Sequence, residues 1–238
     1  MSKLTRIGVV VPSTNTTTET EFGRTIDDSL SVHVARMPLS SVTAADLKSM
    51  RNRATGAVER VSDASVDAIA YACTTGSLLE GPEYARRLES ELEQTAGVPT
   101  VVTARSVDRA LSALNKTQIL VVTPYNQELV ERERSYLNAL GYNVVHISGR
   151  GLENNAAIGA LSPKAAADQV LSEIEGVSDI DAVFISCTNY PTFSRVESLE
   201  SKLNVPVVTS NSATLWDVLR TAGIDPNIVP GQLSATTT

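Results

Sequence analysis

Cys73 and Cys187 are the only cysteines in the chain, and the residues around them match. One lies in Val66-Asp67-Ala68-Ile69-Ala70-Tyr71-Ala72-Cys73-Thr74, the other in Ile180-Asp181-Ala182-Val183-Phe184-Ile185-Ser186-Cys187-Thr188. Both read apolar-Asp-Ala, a short apolar run, a small residue, Cys, Thr. A thiol acts as a nucleophile or as a proton carrier, in either case through its thiolate. Two thiols on opposite sides of one small molecule can take a proton from one face and return it to the other. Alternatively, one adds to an activated carbon while the other serves as acid and base. A fold with internal two-fold symmetry would bring both to the mouth between its halves.

Polar motifs surround these cysteines in the expected fold. Pro12-Ser13-Thr14-Asn15, Cys73-Thr74-Thr75-Gly76, Pro124-Tyr125-Asn126 and Cys187-Thr188-Asn189 each follow an apolar run and are expected to open a helix. Free N–H groups and the positive end of the dipole at a helix start suit carboxylates. The same field is expected to lower a thiol pKa from about 8.5. Asn15, Asn126 and Asn189 can donate to a substrate carboxylate or cap a helix. Tyr125 can donate its phenolic hydrogen or pack its ring between the lobes. Asn155, with Asn154, follows Gly149-Arg150-Gly151 in an expected loop. Glu19 and Glu21 read as a solvated first turn. His33 and His146 fall within strands and read as structural; nothing has the ligand spacing of a metal site.

The elements that must position these residues repeat as well. Val9-Val10-Val11-Pro12 resembles Val121-Val122-Thr123-Pro124, and Gly97-Val98-Pro99-Thr100-Val101-Val102 resembles Asn204-Val205-Pro206-Val207-Val208. The pairs Pro12/Pro124, Cys73/Cys187 and Pro99/Pro206 are 112, 114 and 107 residues apart, in the same order. That is one large duplication. Apolar runs at 6–11, 31–36, 67–72, 98–102, 118–122, 143–147, 181–186 and 205–209 predict strands. Helices are expected near 16–29, 43–63, 77–95, 106–115, 126–140, 163–176, 192–203 and 212–222. Continuous apolar strands between helices imply parallel sheets covered on both faces. The expected fold is α/β: two pseudo-symmetric doubly wound lobes, each with a four-stranded parallel sheet, and the site in the cleft between them. The lobes are expected to divide as 1–104 with 215–238, and 105–214. Residues 234–238 are expected to fray.

Composition narrows the classes. A net charge of −7, only ten Phe, Tyr and Trp residues and no Lys/Arg cluster set nucleic acid aside. No apolar run approaches the roughly 18 residues a membrane span needs. Met1-Ser2-Lys3-Leu4-Thr5-Arg6 has no signal-peptide character, so a cytoplasmic location is expected. Two cysteines in a reducing compartment argue for thiol chemistry over a structural disulfide. Association into a homodimer through two-fold contacts is a further expectation.

The motifs Gly8-Val9-Val10-Val11-Pro12-Ser13-Thr14-Asn15, Thr18-Glu19-Thr20-Glu21, Tyr71-Ala72-Cys73, Val122-Thr123-Pro124-Tyr125 and Ile185-Ser186-Cys187 carry a resemblance. Over nearly its whole length the chain resembles the aspartate/glutamate racemase superfamily, and within it the maleate cis-trans isomerase and arylmalonate decarboxylase group. The resemblance implies no cofactor and a small dicarboxylate substrate. It implies that Cys73 attacks the alkene carbon of maleate to give a covalent succinyl-cysteine, that Cys187 supplies and removes a proton, and that fumarate leaves. It assigns Asn15, Tyr125 and Asn155 to the carboxylates. The decarboxylases lack the first cysteine, and their carboxylate pocket would map to Thr74, Thr75, Tyr125 and Thr188. Cys187-Thr188-Asn189 is similar to amino-acid racemases. A two-cysteine racemase of the Asp/Glu type, an arylmalonate-type decarboxylase and a carboxylate-binding protein without chemistry are therefore the alternatives.

Overall fold

The computed structural model describes residues 4–39, 41–51 and 53–236. The first half contains β1 (Thr5–Pro12), α1 (Thr18–Thr25), β2 (Leu30–Met37), α2 (Ala44–Arg51), α3 (Ala54–Ser62), β3 (Ala68–Tyr71), α4 (Thr74–Leu78), α5 (Pro82–Ala96), β4 (Thr100–Val102) and α6 (Thr103–Ala113). The second contains β5 (Gln118–Thr123), α7 (Gln127–Ala139), β6 (Asn143–Gly149), α8 (Asn155–Gly159), α9 (Pro163–Glu173), β7 (Ala182–Ile185), α10 (Val196–Leu203), β8 (Val207–Thr209) and α11 (Ser210–Thr221).

The strands form two four-stranded sheets in the orders β2-β1-β3-β4 and β6-β5-β7-β8, with every pairing parallel. The two orders are the same one, so the sequence repeat is a repeat of fold. β1, β3, β5 and β7 are apolar and almost wholly buried because helices cover both faces. The aspartate of the repeated apolar-Asp-Ala motif has a structural task. Asp67 accepts the Arg6 N–H at 2.9 Å, and Asp181 accepts the Gln118 N–H at 3.0 Å, each tying the start of one central strand to its neighbour.

In each sheet the chain steps from the first strand to one side, then crosses to the other. Between β1 and β3, and between β5 and β7, the connections therefore diverge and leave a crevice at the carboxyl ends. Cys73 follows β3 and Cys187 follows β7; Asn15 and Tyr125 follow β1 and β5. α11 packs on α6 and also reaches β3, β4 and β8.

Four local expectations need correction. The helix expected over 43–63 is two helices, α2 ending at Arg51 and α3 beginning at Ala54; position 52 lies outside the described residues. The helix expected over 77–95 is preceded by the separate turn of α4. Gly81, at φ +91°, breaks the chain, and Pro82 then opens α5. Asn155 is not in a loop but begins α8, whose cap is Asn154 accepting the Ala157 N–H. The tail expected to fray is ordered through residue 235 in a short 3-10 turn, Gln232–Ala235. There Leu233 is buried and Glu200 accepts the Gln232 N–H. Residues 237–238 lie outside the described part.

Candidate active site

Both thiols are nearly sealed, Cys73 at 4% exposure and Cys187 at 6%. They lie close enough for the charge on one to act on the other. Cys73 is the N-cap residue of α4, and the Gly76 N–H and the Thr75 side chain near its sulfur favour the thiolate. Gly76 is needed there: a Cβ would stand 3.0 Å from the Cys73 sulfur and 2.8 Å from the Tyr71 hydroxyl. Cys187 is held differently. Its sulfur accepts from the Tyr125 hydroxyl and, at 3.4 Å, from the Asn189 N–H. Its backbone stands at φ +93°, a left-handed conformation that a non-glycine residue adopts only under constraint. The motif Cys187-Thr188-Asn189 does not open a helix as expected. The chain turns there, and the next helical residues are Phe193–Arg195, after Pro191.

The expected fall in thiol pKa is not found. Burial pushes Cys73 up to about 11 and Cys187 up to about 12. The donors near each sulfur act in the opposite direction but do not outweigh desolvation, and among the described residues no cation acts on either thiol. α4 is only five residues long, so the dipole behind Cys73 is short. Tyr125, wholly buried, is likewise raised, first by desolvation and then by the neighbouring Cys187.

The remaining expected residues gather around this pair. Thr74 donates to Ser210 Oγ at 2.8 Å, and the same oxygen accepts the Cys187 N–H at 3.0 Å. Ser210, at the start of α11, thus bridges the two cysteine loops. Thr188 donates to the Ala72 carbonyl at 3.2 Å, beside Cys73. Asn15 donates to Thr188 Oγ1 at 3.2 Å and to Thr18 Oγ1 at 3.0 Å, while its oxygen accepts the N–H groups of Thr17 and Thr18. Asn189 donates to the Asn155 carbonyl at 2.6 Å and accepts the Thr16 N–H at 2.9 Å. Asn155 donates to Thr14 Oγ1 at 2.8 Å. These asparagines and threonines form a continuous polar seam between the strand ends of the two sheets. Asn126 instead caps α7, accepting the Leu129 N–H. His33 contacts the Ser31 hydroxyl and His146 pairs with Glu173, on the outer strands β2 and β6.

Three residues were missed. Ser210 gives no sequence signal beyond following Thr209 at the end of a strand. Glu21 is not solvated: its carboxylate accepts the N–H groups of Thr192 at 2.6 Å and Phe193 at 2.9 Å and the Asn211 amide at 2.7 Å. Glu133 is 1% exposed, accepts the Ser186 hydroxyl at 2.6 Å, and is pushed by burial up to about 8. A glutamate flanked by Leu129 and Leu137, four residues away on either side, was a readable signal of a buried acid. Surface hollows of about 780 and 620 Å³ lie along α5, α6 and α11 and around Pro230, away from the thiols. Both are open to solvent, whereas the thiols are enclosed.

Fold and site define a two-lobed, internally duplicated α/β protein with one buried thiol from each half meeting at the seam. A family model for arylmalonate decarboxylase matches residues 7–233. The chain belongs to the arylmalonate decarboxylase family. A maleate isomerase of Nocardia farcinica is 30% identical over 238 residues, covering 95% of this chain and 93% of the relative. The crystal structure of a cysteine-to-alanine variant of a maleate isomerase from Pseudomonas putida, with maleate, matches at a TM-score of 0.92 and 25% identity over 99% of each chain. A solved maleate cis-trans isomerase of Nocardia farcinica, a cysteine-to-serine mutant with a covalently bound succinylcysteine intermediate, matches at a TM-score of 0.90 and 26% identity, covering 98% of this chain and 99% of that one. Among the described residues no helix is long and apolar enough to cross a membrane.

Proposed function

We propose that the protein isomerises maleate, or a closely related small dicarboxylate, to the trans product, with Cys73 as nucleophile and Cys187 as acid and base. The observation that carries this is the unequal pair of thiols: Cys187 has the phenol of Tyr125 beside its sulfur, while Cys73, at a helix start, has the weaker acids of the Thr75 hydroxyl and the Gly76 N–H. Cys73 first passes its proton to solvent water. Its thiolate adds to one alkene carbon, and the electron pair of the double bond moves toward the far carboxylate as an enediolate. Cys187 delivers its proton to the neighbouring carbon, giving the succinyl-cysteine. The thiolate left on Cys187 is stabilised by the Tyr125 hydroxyl and the Asn189 N–H. After rotation about what is now a single bond, Cys187 recovers a proton from the same carbon. The double bond re-forms and Cys73 leaves as thiolate. With that proton in solvent, atoms and electrons balance over the cycle, which starts and ends with Cys73 as thiolate and Cys187 as thiol.

In this reading Asn15, Tyr125 and Asn155 hold the carboxylates, with Thr74, Thr75, Thr188 and Asn189 lining the same space. Every one of them lies within the seam or on a thiol, which supports the assignment. The division into 1–104 with 215–238, against 105–214, belongs to the same reading; α11 packing on β3 and β4 supports it, whereas α6 falls mostly within 105–214 and the Gln232 N–H bonds to Glu200.

Intact-protein mass spectrometry with maleate tests the proposal. Wild type releases fumarate, Cys187→Ser accumulates one covalent adduct, and the further change Cys73→Ala abolishes it. Exchange of the α-proton of aspartate or glutamate in deuterated water, with maleate untouched, would refute it in favour of a racemase.

A further inference from the structure

Glu21 on α1 and Glu133 on α7 are 112 residues apart, the spacing that separates Pro12 from Pro124. Each sits on the helix that follows the central strand of its sheet. They are copies of one position, yet their surroundings differ. Glu21 has three donors on its two oxygens. Glu133 has one, the Ser186 hydroxyl on Oε1, and its Oε2 is buried without a partner. The repeat shows why. Asn211, which donates to Glu21, corresponds at the 107-residue spacing of Pro99 and Pro206 to Ala104, which has nothing to donate.

A carboxylate with one hydrogen bond and an unpaired buried oxygen is costly; the neutral acid, which buries no charge, costs much less. The groups facing Glu133 support the neutral form. Ser186 and Cys187 come from the end of β7, and Tyr125 from the turn between β5 and α7. Leu129, Val130, Tyr136 and Leu137 share its buried face of α7. Among the described residues no charged side chain contributes to its proton affinity. Arg86, Glu89, Arg105 and Asp108 act on Tyr136 instead, one turn further along α7.

We propose that Glu133 is a positioning residue for Cys187: through the Ser186 hydroxyl it fixes the strand end that carries the thiol, and it does so as an uncharged acid, leaving room for a single negative charge on Cys187. The inference rests on Cys187 as the proton carrier. An ionised Glu133 would oppose the Cys187 thiolate and the Tyr125 hydrogen bond together.

Two measurements test it, one of them independent of the substrate. In a Cys73→Ala background, the rate of Cys187 alkylation by iodoacetamide is followed against pH, with Glu133 and with Glu133→Gln. With Glu133 the rate rises about tenfold per pH unit and then bends as Glu133 ionises above about pH 8; with Gln the bend is absent. In the otherwise native enzyme, Glu133→Leu lowers kcat for maleate at least tenfold with little change in KM, and Ser186→Ala lowers it in the same sense should the Leu variant misfold. The same bend in both alkylation profiles, or an unchanged kcat in Glu133→Leu or Ser186→Ala, overturns the proposal. Wild type that leaves maleate untouched refutes the isomerase reading instead, and the alkylation profiles still decide whether Glu133 governs the thiol.

Discussion

Replacing Glu133 by Gln should change how stability depends on pH, by an amount fixed by the proton affinity of the buried acid. In the folded protein Glu133 is raised from an ordinary 4.5 to about 8. The folded state therefore keeps a proton that the unfolded chain has released. Stability from this group is fully present below about pH 4.5 and is lost as pH rises towards about 8, at about 1.4 kcal/mol per pH unit and about 5 kcal/mol in all. Gln has no proton to lose. It adds an unpaired amide N–H beside Ser186, costing about 1–3 kcal/mol, but equally at every pH. Glu21 and Glu200, also raised by burial, titrate alike in both proteins and cancel in the difference. Between about pH 5.5 and 7.5 wild type should lose about 2.7 kcal/mol relative to Glu133→Gln. For a domain of this size that is a relative fall in Tm of about 5–11 °C. Urea unfolding and thermal melts of both proteins at several pH values measure it. A difference that stays constant across that range would mean Glu133 ionises like a surface carboxylate, and the neutral-acid argument fails.

Two other substitutions probe the support of the second thiol. Tyr125→Phe removes a charge-assisted hydrogen bond from the Cys187 thiolate worth about 1.5–3 kcal/mol, so kcat for maleate should fall roughly 10- to 100-fold while the Cys73 adduct still forms. Gly149→Ala places a Cβ 2.4 Å from the Tyr125 carbonyl oxygen and 2.6 Å from Val130 Cγ2, so the Tyr125 turn must shift. It should cost about 1–3 kcal/mol in urea unfolding and reduce turnover along with stability.

Much of the fold was legible because the strands are short, with the central ones mostly apolar, and bounded by polar turns. All eight appear within two residues of the apolar runs, and their repetition foretold two sheets of one order. Helices were legible where an amphipathic stripe ran for several turns. α8 has five residues, too few to show a period, and the boundary between α4 and α5 depends on the backbone of Gly81. At the site, residue types were readable but their roles were not. That Asn15 and Asn189 spend their amides on the seam, and that Ser210 links both cysteine loops, are long-range facts with no local signature. The thiol pKa values moved opposite to expectation because burial, a property of the assembled fold, outweighs helix-end donors visible in the sequence. Glu133 was within reach, since an acid in the middle of an apolar helical stripe is a local conflict.

The duplication stops being a duplication at the sulfurs. Cys73 is in ordinary extended backbone, with φ −150°, and leads into a helix; Cys187, its counterpart, is bent to φ +93° and leads into a turn. A catalyst that must run a stereocentre in both directions gains from two interchangeable ends. In the proposed mechanism the half with the relaxed backbone carries the atom that forms a bond, and the half with the strained one carries the atom that handles hydrogen. Exchanging the two cysteine segments between halves would carry the letters across but leave each backbone, and so each duty, where it was.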